Sequence, residues 1–293
     1  MEECYTTNIP IEILDHILTF LSDIDKIKFL SASKYLHFIK TIPLYNQMVP
    51  IEKIYHLFYY DRFTNIFVPA IPNKFPSSIK YITFDDNFND DICGKIPHGT
   101  IGLKFGRHFD QPIIGAIPLN VKYLEFGNDF NQELANAVPN NVQTLKLGTK
   151  IDYDTIDDSC IVMVALMFGN AGYNKNIKGC IPDSVIDLTF GGLFNQPIED
   201  VIPKNVKYLS FGDIFNQNIK GCIPHGVEHL SFGSAFNKDI TDAMPSTITH
   251  LRFGWSFDQE IKGTVPSSVK YLKLRESYDK DLTDMDCDII YYQ

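Results

Sequence analysis

The sequence is poor in the features that announce chemistry. None of its six cysteines, Cys4, Cys93, Cys160, Cys180, Cys222 and Cys287, stands in a C-x-x-C pair. Metal-ligand spacing is therefore absent, and neither a metal nor another cofactor is expected. Reduced, mostly buried thiols are the expectation instead. No stretch reaches the roughly eighteen uninterrupted apolar residues that a membrane span needs. No basic segment followed by an apolar run opens the chain, so a secretory leader is not expected either. A cytoplasmic chain without membrane contact fits these absences. A basic excess is also missing: 26 Lys and Arg against 36 Asp and Glu leave a formal charge of −10. That balance argues against general nucleic-acid binding. No nucleophile, base and orienting group assemble into a pattern. The recurring F-G-x-x-F glycines lack the Lys and Ser/Thr of a phosphate-binding loop. Acidic pairs such as Asp85-Asp86 and Asp157-Asp158 read as solvated turns. The chain is not expected to be an enzyme.

What is present is a period. Pro76, Pro97, Pro118 and Pro139, then Pro182, Pro203, Pro224, Pro245 and Pro266, follow at intervals of 21 residues, except for one of 43. The long interval is read as hiding a degenerate copy, with Cys160 in the proline place and one extra residue near Gly172. Six residues after each proline stands Ile82, Leu103, Leu124, Leu145, Leu166, Leu188, Leu209, Leu230, Leu251 or Leu272. Two further on comes Phe or Leu, usually followed by glycine, as in Gly106, Gly127, Gly212 and Gly233. Self-similarity at this period predicts a solenoid.

One copy, Pro203 to Ile223 (PKNVKYLSFGDIFNQNIKGCI), carries the physics of the rest. Val206, Leu209 and Phe211 suit a short strand with Leu209 and Phe211 on one face. Gly212 is expected to let the chain leave the strand at a backbone angle other residues resist. Phe215 and Ile219 turn back over the core. Asn216 stands where its amide can bond neighbouring backbone, and Asn89, Asn131, Asn174, Asn195 and Asn237 hold the same place. Asp110, Asp152, Asp258 and Asp279 substitute in other copies. A lone copy cannot meet its ordering entropy by burial, so neighbours must stack. Ile54, Leu57, Tyr59 and Phe63 are expected to form an imperfect first copy that caps the array, and residues 279–293 to cap the other end.

The L-x-x-L-x-L-like spacing followed by asparagine is similar to leucine-rich repeats. More closely, F-N-x-x-I followed by I-P, as in FNQPIEDVIP from Phe194 and FNQNIKGCIP from Phe215, resembles the FNIP repeat. The resemblance covers about Ile79 to Leu282. It implies about ten 21-residue turns with one short parallel strand each, over residues 49–293.

Residues 1–48 do not follow the period. Ile13, Leu14, Ile17, Leu18 and Leu21 have helical spacing. Ser22 or Asp23 can cap a second helix with Ile24, Ile27, Phe29 and Leu30, and Ser33 can begin a third. The fold class is thus α+β, three short helices followed by the solenoid. Ile9, Pro10, Glu12, Ile13, Leu14, Ile17, Leu18 and Leu21, with Asp25, Phe29 and Ser33 after them, resemble an F-box, although its frequent late tryptophan is absent. F-box followed by FNIP repeats is an architecture of social-amoeba and giant-virus proteins. The resemblance implies a substrate-recruiting subunit of a cullin-type ubiquitin ligase. Pro10, Ile13, Leu14, Ile17, Leu18 and Leu21 would dock a Skp-type adaptor through exposed apolar side chains. The repeats would hold a target protein, a host protein if the chain is viral. The alternative is a repeat scaffold unrelated to ubiquitin, with the helices as a cap.

The residues flanking each buried leucine point outward on one face. Among them Tyr208, His229, His250, Arg252, Tyr271 and Lys273, with the single tryptophan Trp255 nearby, combine aromatics and arginine as binding hot spots do. The plainer reading is a stability ladder of strand-compatible residues. His229 and His250 hold equivalent places in adjacent copies, their rings expected ~5 Å apart, with nothing to complete a metal site.

Overall fold

The computed structural model describes residues 10–148, 172–283 and 285–292. The chain divides into two compact units, Met1–Val68 with Pro72–Ile82, and Pro69–Ile71 with Thr83–Gln293.

The first unit opens with α1 (Ile11–Thr19), α2 (Asp23–Leu30) and α3 (Lys34–Ile39). The Ser22 side chain accepts the Asp25 N–H, and Ser33 that of Leu36. Each serine satisfies a donor the first helical turn would otherwise waste. Leu14 and Leu18, one turn apart on α1, pack with Leu30 and Ile39 into a small buried core. Asp23 fastens α2 to the chain beyond: one carboxylate oxygen takes Lys26 Nζ at 2.9 Å, the other the Gln47 N–H at 2.6 Å. Then β1 (Val49–Pro50) and β2 (Asn65–Val68) pair in parallel, Val49 opposite Ile66.

The expected first copy is displaced. Ile54, Leu57 and Tyr59 lie in turns, where the Ile54 N–H bonds Ile51 and the Leu57 N–H bonds Ile54. The strand is β2, and Phe63, Ile66 and Val68, all buried, take the V-x-x-L-x-F places. The same spacing occurs twice in this stretch, and local turn hydrogen bonds consume the earlier one. β3 (Tyr81–Phe84) spans the division between the units.

The second unit is a parallel β-solenoid. It contains β4 (Gly102–Lys104), β5 (Tyr123–Phe126), β6 (Thr144–Leu147), β7 (Asp187–Phe190), β8 (Tyr208–Ser210) and β9 (His229–Ser231). β10 (His250–Arg252), β11 (Tyr271–Arg275) and β12 (Asp288–Tyr292) complete it. From β4 onward each strand pairs with the next in chain order, leucine opposite leucine as far as β11 and Leu272 opposite Ile289 of β12. With β3 and the terminal β12, this makes about ten turns of leucine-rich-repeat character. Inside run two ladders of phenylalanine. Phe211 and Phe232 stack at 5.4 Å, Phe215 and Phe236 at 6.2 Å, and Phe211 meets Phe215 at 4.0 Å. Full burial of such rings contributes to the inter-turn cohesion.

Three expectations change. First, β6 pairs directly with β7, Leu145 opposite Leu188, on either side of the degenerate copy in the sequence. Its expected positions, including Asp152, Cys160, Leu166 and Phe168, lie outside the described residues. Tyr173 instead follows Phe130 in the aromatic ladder at 6.1 Å. Second, Gly212 is demanded by space: a Cβ there would fall on the carbonyl of Gly191 in the preceding turn, and Gly106, Gly127, Gly233 and Gly254 repeat the relation. The left-handed position is another, Gly94, Gly115, Gly179, Gly221 and Gly263 at φ 68–74°, with Asn136, Asp200 and Asp242 at 56–57° in other turns. Those are the residue types that tolerate that conformation. Third, the cysteines are not mostly buried: Cys93 is exposed, and Cys180, Cys222 and Cys287 are partly so, all free thiols. Cys93, Cys180 and Cys222 stand in turns, with Cys180 Sγ 3.7 Å from the Lys178 carbonyl and Cys222 Sγ 3.5 Å from that of Lys220. Cys4 and Cys160 lie outside the described residues.

Candidate protein-interaction surfaces

In the first unit, the six residues expected to dock an adaptor divide by burial. Leu14 and Leu18 are 1% and 2% exposed and belong to the helices' own core. They are not exposed docking side chains, because a nine-residue helix at this spacing must spend them on α2 and α3. Ile17 and Leu21 are half-buried, and Pro10 and Ile13 are exposed. Exposed apolar surface is nonetheless abundant, in residues the periodicity did not single out for contact. Phe20 is 77% exposed, Phe38 73% and Ile24 58%, joined by Ile11 and Tyr35. A module this small cannot enclose all its apolar side chains. The signal was readable as surplus: more large apolar residues than one three-helix core accommodates.

In the second unit, the residues before each buried leucine form an outer row. Over β8 to β11 its rings stack: Tyr208 to His229 at 4.7 Å, His229 to His250 at 4.0 Å, His250 to Tyr271 at 4.6 Å. Parallel pairing without register slip causes this, since every ring meets the ring 21 residues on. These rings, with Arg252 and Lys273, line an open groove of ≈ 310 Å³ that reaches Ile290 of β12. Thr249 Oγ1 holds His250 Nδ1 at 2.9 Å. Burial lowers the His229 pKa, the His250 charge lowers it further, and Glu228 opposes both. Among the described residues no group of three or more His, Cys, Asp and Glu is placed to hold a metal ion.

Trp255 is not part of the groove lining. β10 ends at Arg252, so the alternation of faces stops there and Trp255 stands in the following turn, its carbonyl accepting Arg275. Tyr292, not singled out from sequence, stands beside two of the lining residues: Arg252 and Lys273 each lie 5.6 Å from its ring centre. The β-rich run DIIYY was the available signal. Toward the other end of the row, charges satisfy one another. Glu125 takes Lys104 at 2.8 Å and the Tyr123 hydroxyl, with Lys146 at 3.8 Å. Burial works to raise the Glu125 pKa, but these partners outweigh it and hold the carboxyl below its usual value.

The side-chain ladder that binds turn to turn is the asparagine row, and comparison with known proteins places it in a family. The FNIP Repeat family matches residues 69–108, 92–129, 109–150, 173–213, 215–256 and 241–277, together more than half of the chain. The chain belongs to the FNIP repeat family. The FNIP matches stop at 150 and resume at 173, where β6 passes directly to β7. A protein of Acanthamoeba polyphaga mimivirus named for an F-box is 38% identical over 77 residues, 26% of this chain and 31% of that protein. Another from the same virus, named for an F-box and FNIP repeats, is 32% identical over 94 residues, 26% of this chain and 32% of that one. The chain thus spans about a third of the length of these curated relatives. Among solved structures, the circular leucine-rich-repeat protein CroV588 is similar, with TM-score 0.50 and 26% identity over 85% of this chain and 42% of that chain. Among the described residues no helix is long and apolar enough to cross a membrane.

Proposed function

We propose that the chain is a substrate-recruiting subunit of a cullin-type ubiquitin ligase, acting in the cytoplasm. In this reading residues 1–48 are the F-box-like docking module and 49–293 the array that holds a target protein. The observation that carries it is the exposed apolar surface of the helical module, with Phe20, Ile24 and Phe38 uncovered while Leu14, Leu18, Leu30 and Ile39 already complete the core. Large exposed apolar patches mark interaction sites. The F-box names of the mimivirus relatives support a Skp-type adaptor as the occupant. The work is proximity: the array raises a target's local concentration beside the transfer machinery and contributes no catalytic group. If the chain is viral, the target is a host protein. Co-expression of the tagged chain with a Skp-type adaptor and a cullin tests this reading. Recovery of all three together supports it. Recovery of the folded chain alone would leave a repeat scaffold whose helices act as a cap.

A further inference from the structure

The end of the helical module inverts the charge of the chain. From Lys26 to Ile42 the sequence carries four lysines, Lys26, Lys28, Lys34 and Lys40, and no carboxylate, in a protein of net charge −10. Two of the four are matched from α2 itself: Lys26 meets Asp23 at 2.9 Å, and Lys28 lies 3.9 Å from Asp25. Among the described residues no carboxylate forms an ion pair with Lys34 or Lys40.

Lys40 is 5% exposed. Its Nζ lies 2.6 Å from Ser31 Oγ, 3.4 Å from His37 Nδ1 and 5.6 Å from the ring centre of Tyr59. An ammonium taken out of water is costly unless a counter-charge replaces its hydration. A methionine would fill similar volume without that cost, so packing alone does not call for lysine here. Ser31 and His37 are themselves exposed, which leaves the ammonium one side chain below the surface. Apolar surface adjoins it. The His37 ring meets Phe38 at 6.0 Å and Phe58 at 5.1 Å, and Phe38, Phe58 and Tyr35 are all exposed. Lys34, also exposed, stands one helical turn before Phe38.

We infer that α3 receives an acidic segment of the Skp-type adaptor, one carboxylate entering beside Ser31 and His37 to meet Lys40 and another pairing with Lys34. The inference rests on the reading of the helical module as the adaptor's docking site. Apolar side chains between the two carboxylates would lie on Phe38 and Tyr35. The roles of the two lysines differ. An exposed charge at the rim steers association and is screened by salt, whereas a buried charge pair holds the complex together once formed.

The test is biolayer interferometry of the whole chain on an immobilised Skp-type adaptor, at about 50 and 500 mM NaCl. Lys40→Met should dissociate at least tenfold faster than the parent. Lys34→Gln should associate about threefold more slowly at the lower salt and lose most of the parent's salt dependence. Circular dichroism checks helicity, and Lys34→Gln, at an exposed position, carries the decision if Lys40→Met loses it. Parental kinetics in the folded variants, or an association rate for the parent that salt does not change, would overturn the inference while leaving adaptor docking in place. No binding by the folded parent would overturn both.

Discussion

The side-chain oxygen of Asn216 accepts a hydrogen bond from the backbone N–H of Asn237, 3.0 Å away and one full repeat later. Asn195 serves Asn216 in the same way at 2.9 Å, and Asn237 serves Asp258 at 2.9 Å. Each turn of the solenoid thus satisfies a backbone donor of the next, at a point where no strand is available to do so.

Asn216→Ala should therefore destabilise the array by about 1–3 kcal/mol, the cost of leaving a partly buried N–H without its acceptor. Asn216→Asp keeps the acceptor, as Asp110 does for Asn131, and should lose much less. Urea unfolding of the three proteins measures the difference. Because turns contact only their neighbours, hydrogen exchange should rise first around Asn216 and Asn237.

The two kinds of glycine should respond unequally to substitution. Gly212→Ala places a methyl on the Gly191 carbonyl and must push two turns apart. It should cost several kcal/mol, on the order of a disrupted core contact. Gly221 sits at φ +74° with open space around its Cβ position. Gly221→Asn should cost less than about 1 kcal/mol, since Asn136 already occupies the equivalent conformation. Thermal melts of both variants decide it.

How far the sequence could be read follows from these residues. The 21-residue register, the strand at Leu209 and Phe211, the serine caps and the asparagine row were legible because each is a local pattern with a local cause. The reason for Gly212 was not, because it depends on the backbone of a different turn. The first strand was misplaced because Ile54-x-x-Leu57-x-Tyr59 and Phe63-x-x-Ile66-x-Val68 carry the same spacing. Only hydrogen bonding separates them. The direct pairing of β6 with β7 was not legible from the 43-residue proline interval, which is the length of two repeats and one residue. Of the outer face, the stacked row from Tyr208 to Tyr271 was legible from register alone, whereas the place of Trp255 in the turn after β10 was not. The three helices were recognisable, but spacing alone cannot tell which side of α1 is already spent on α2 and α3.

That division makes a prediction about α1. Leu14→Asp buries a charge in the core shared with Leu18, Leu30 and Ile39 and should cost about 4 kcal/mol or more, unfolding the three helices. Phe20→Asp, at a largely exposed position, should leave stability within about 0.5 kcal/mol. Circular dichroism and limited proteolysis of the N-terminal segment compare them.

Glu125 supplies the pH dependence. Its carboxyl is held below its usual value in the fold, chiefly by the Lys104 and Tyr123 hydrogen bonds against the opposing effect of burial. Its stabilisation is therefore present above the unfolded carboxylate pKa of roughly 4.3 and is lost as pH falls through the folded value. Glu125→Gln should be less stable than the parent at pH 7, and the gap should close toward pH 3. A gap that stays constant across this range would assign no charge role to Glu125.

The central claim is that the first unit offers an apolar docking surface distinct from its own core. Calorimetric titration of the purified chain with a Skp-type adaptor, beside a Phe20→Asp, Ile24→Asp variant of unchanged helicity, tests it most directly. The account predicts saturable binding by the parent chain and at least a tenfold loss in the variant. Binding of equal strength by both, or none by the folded parent, would contradict it.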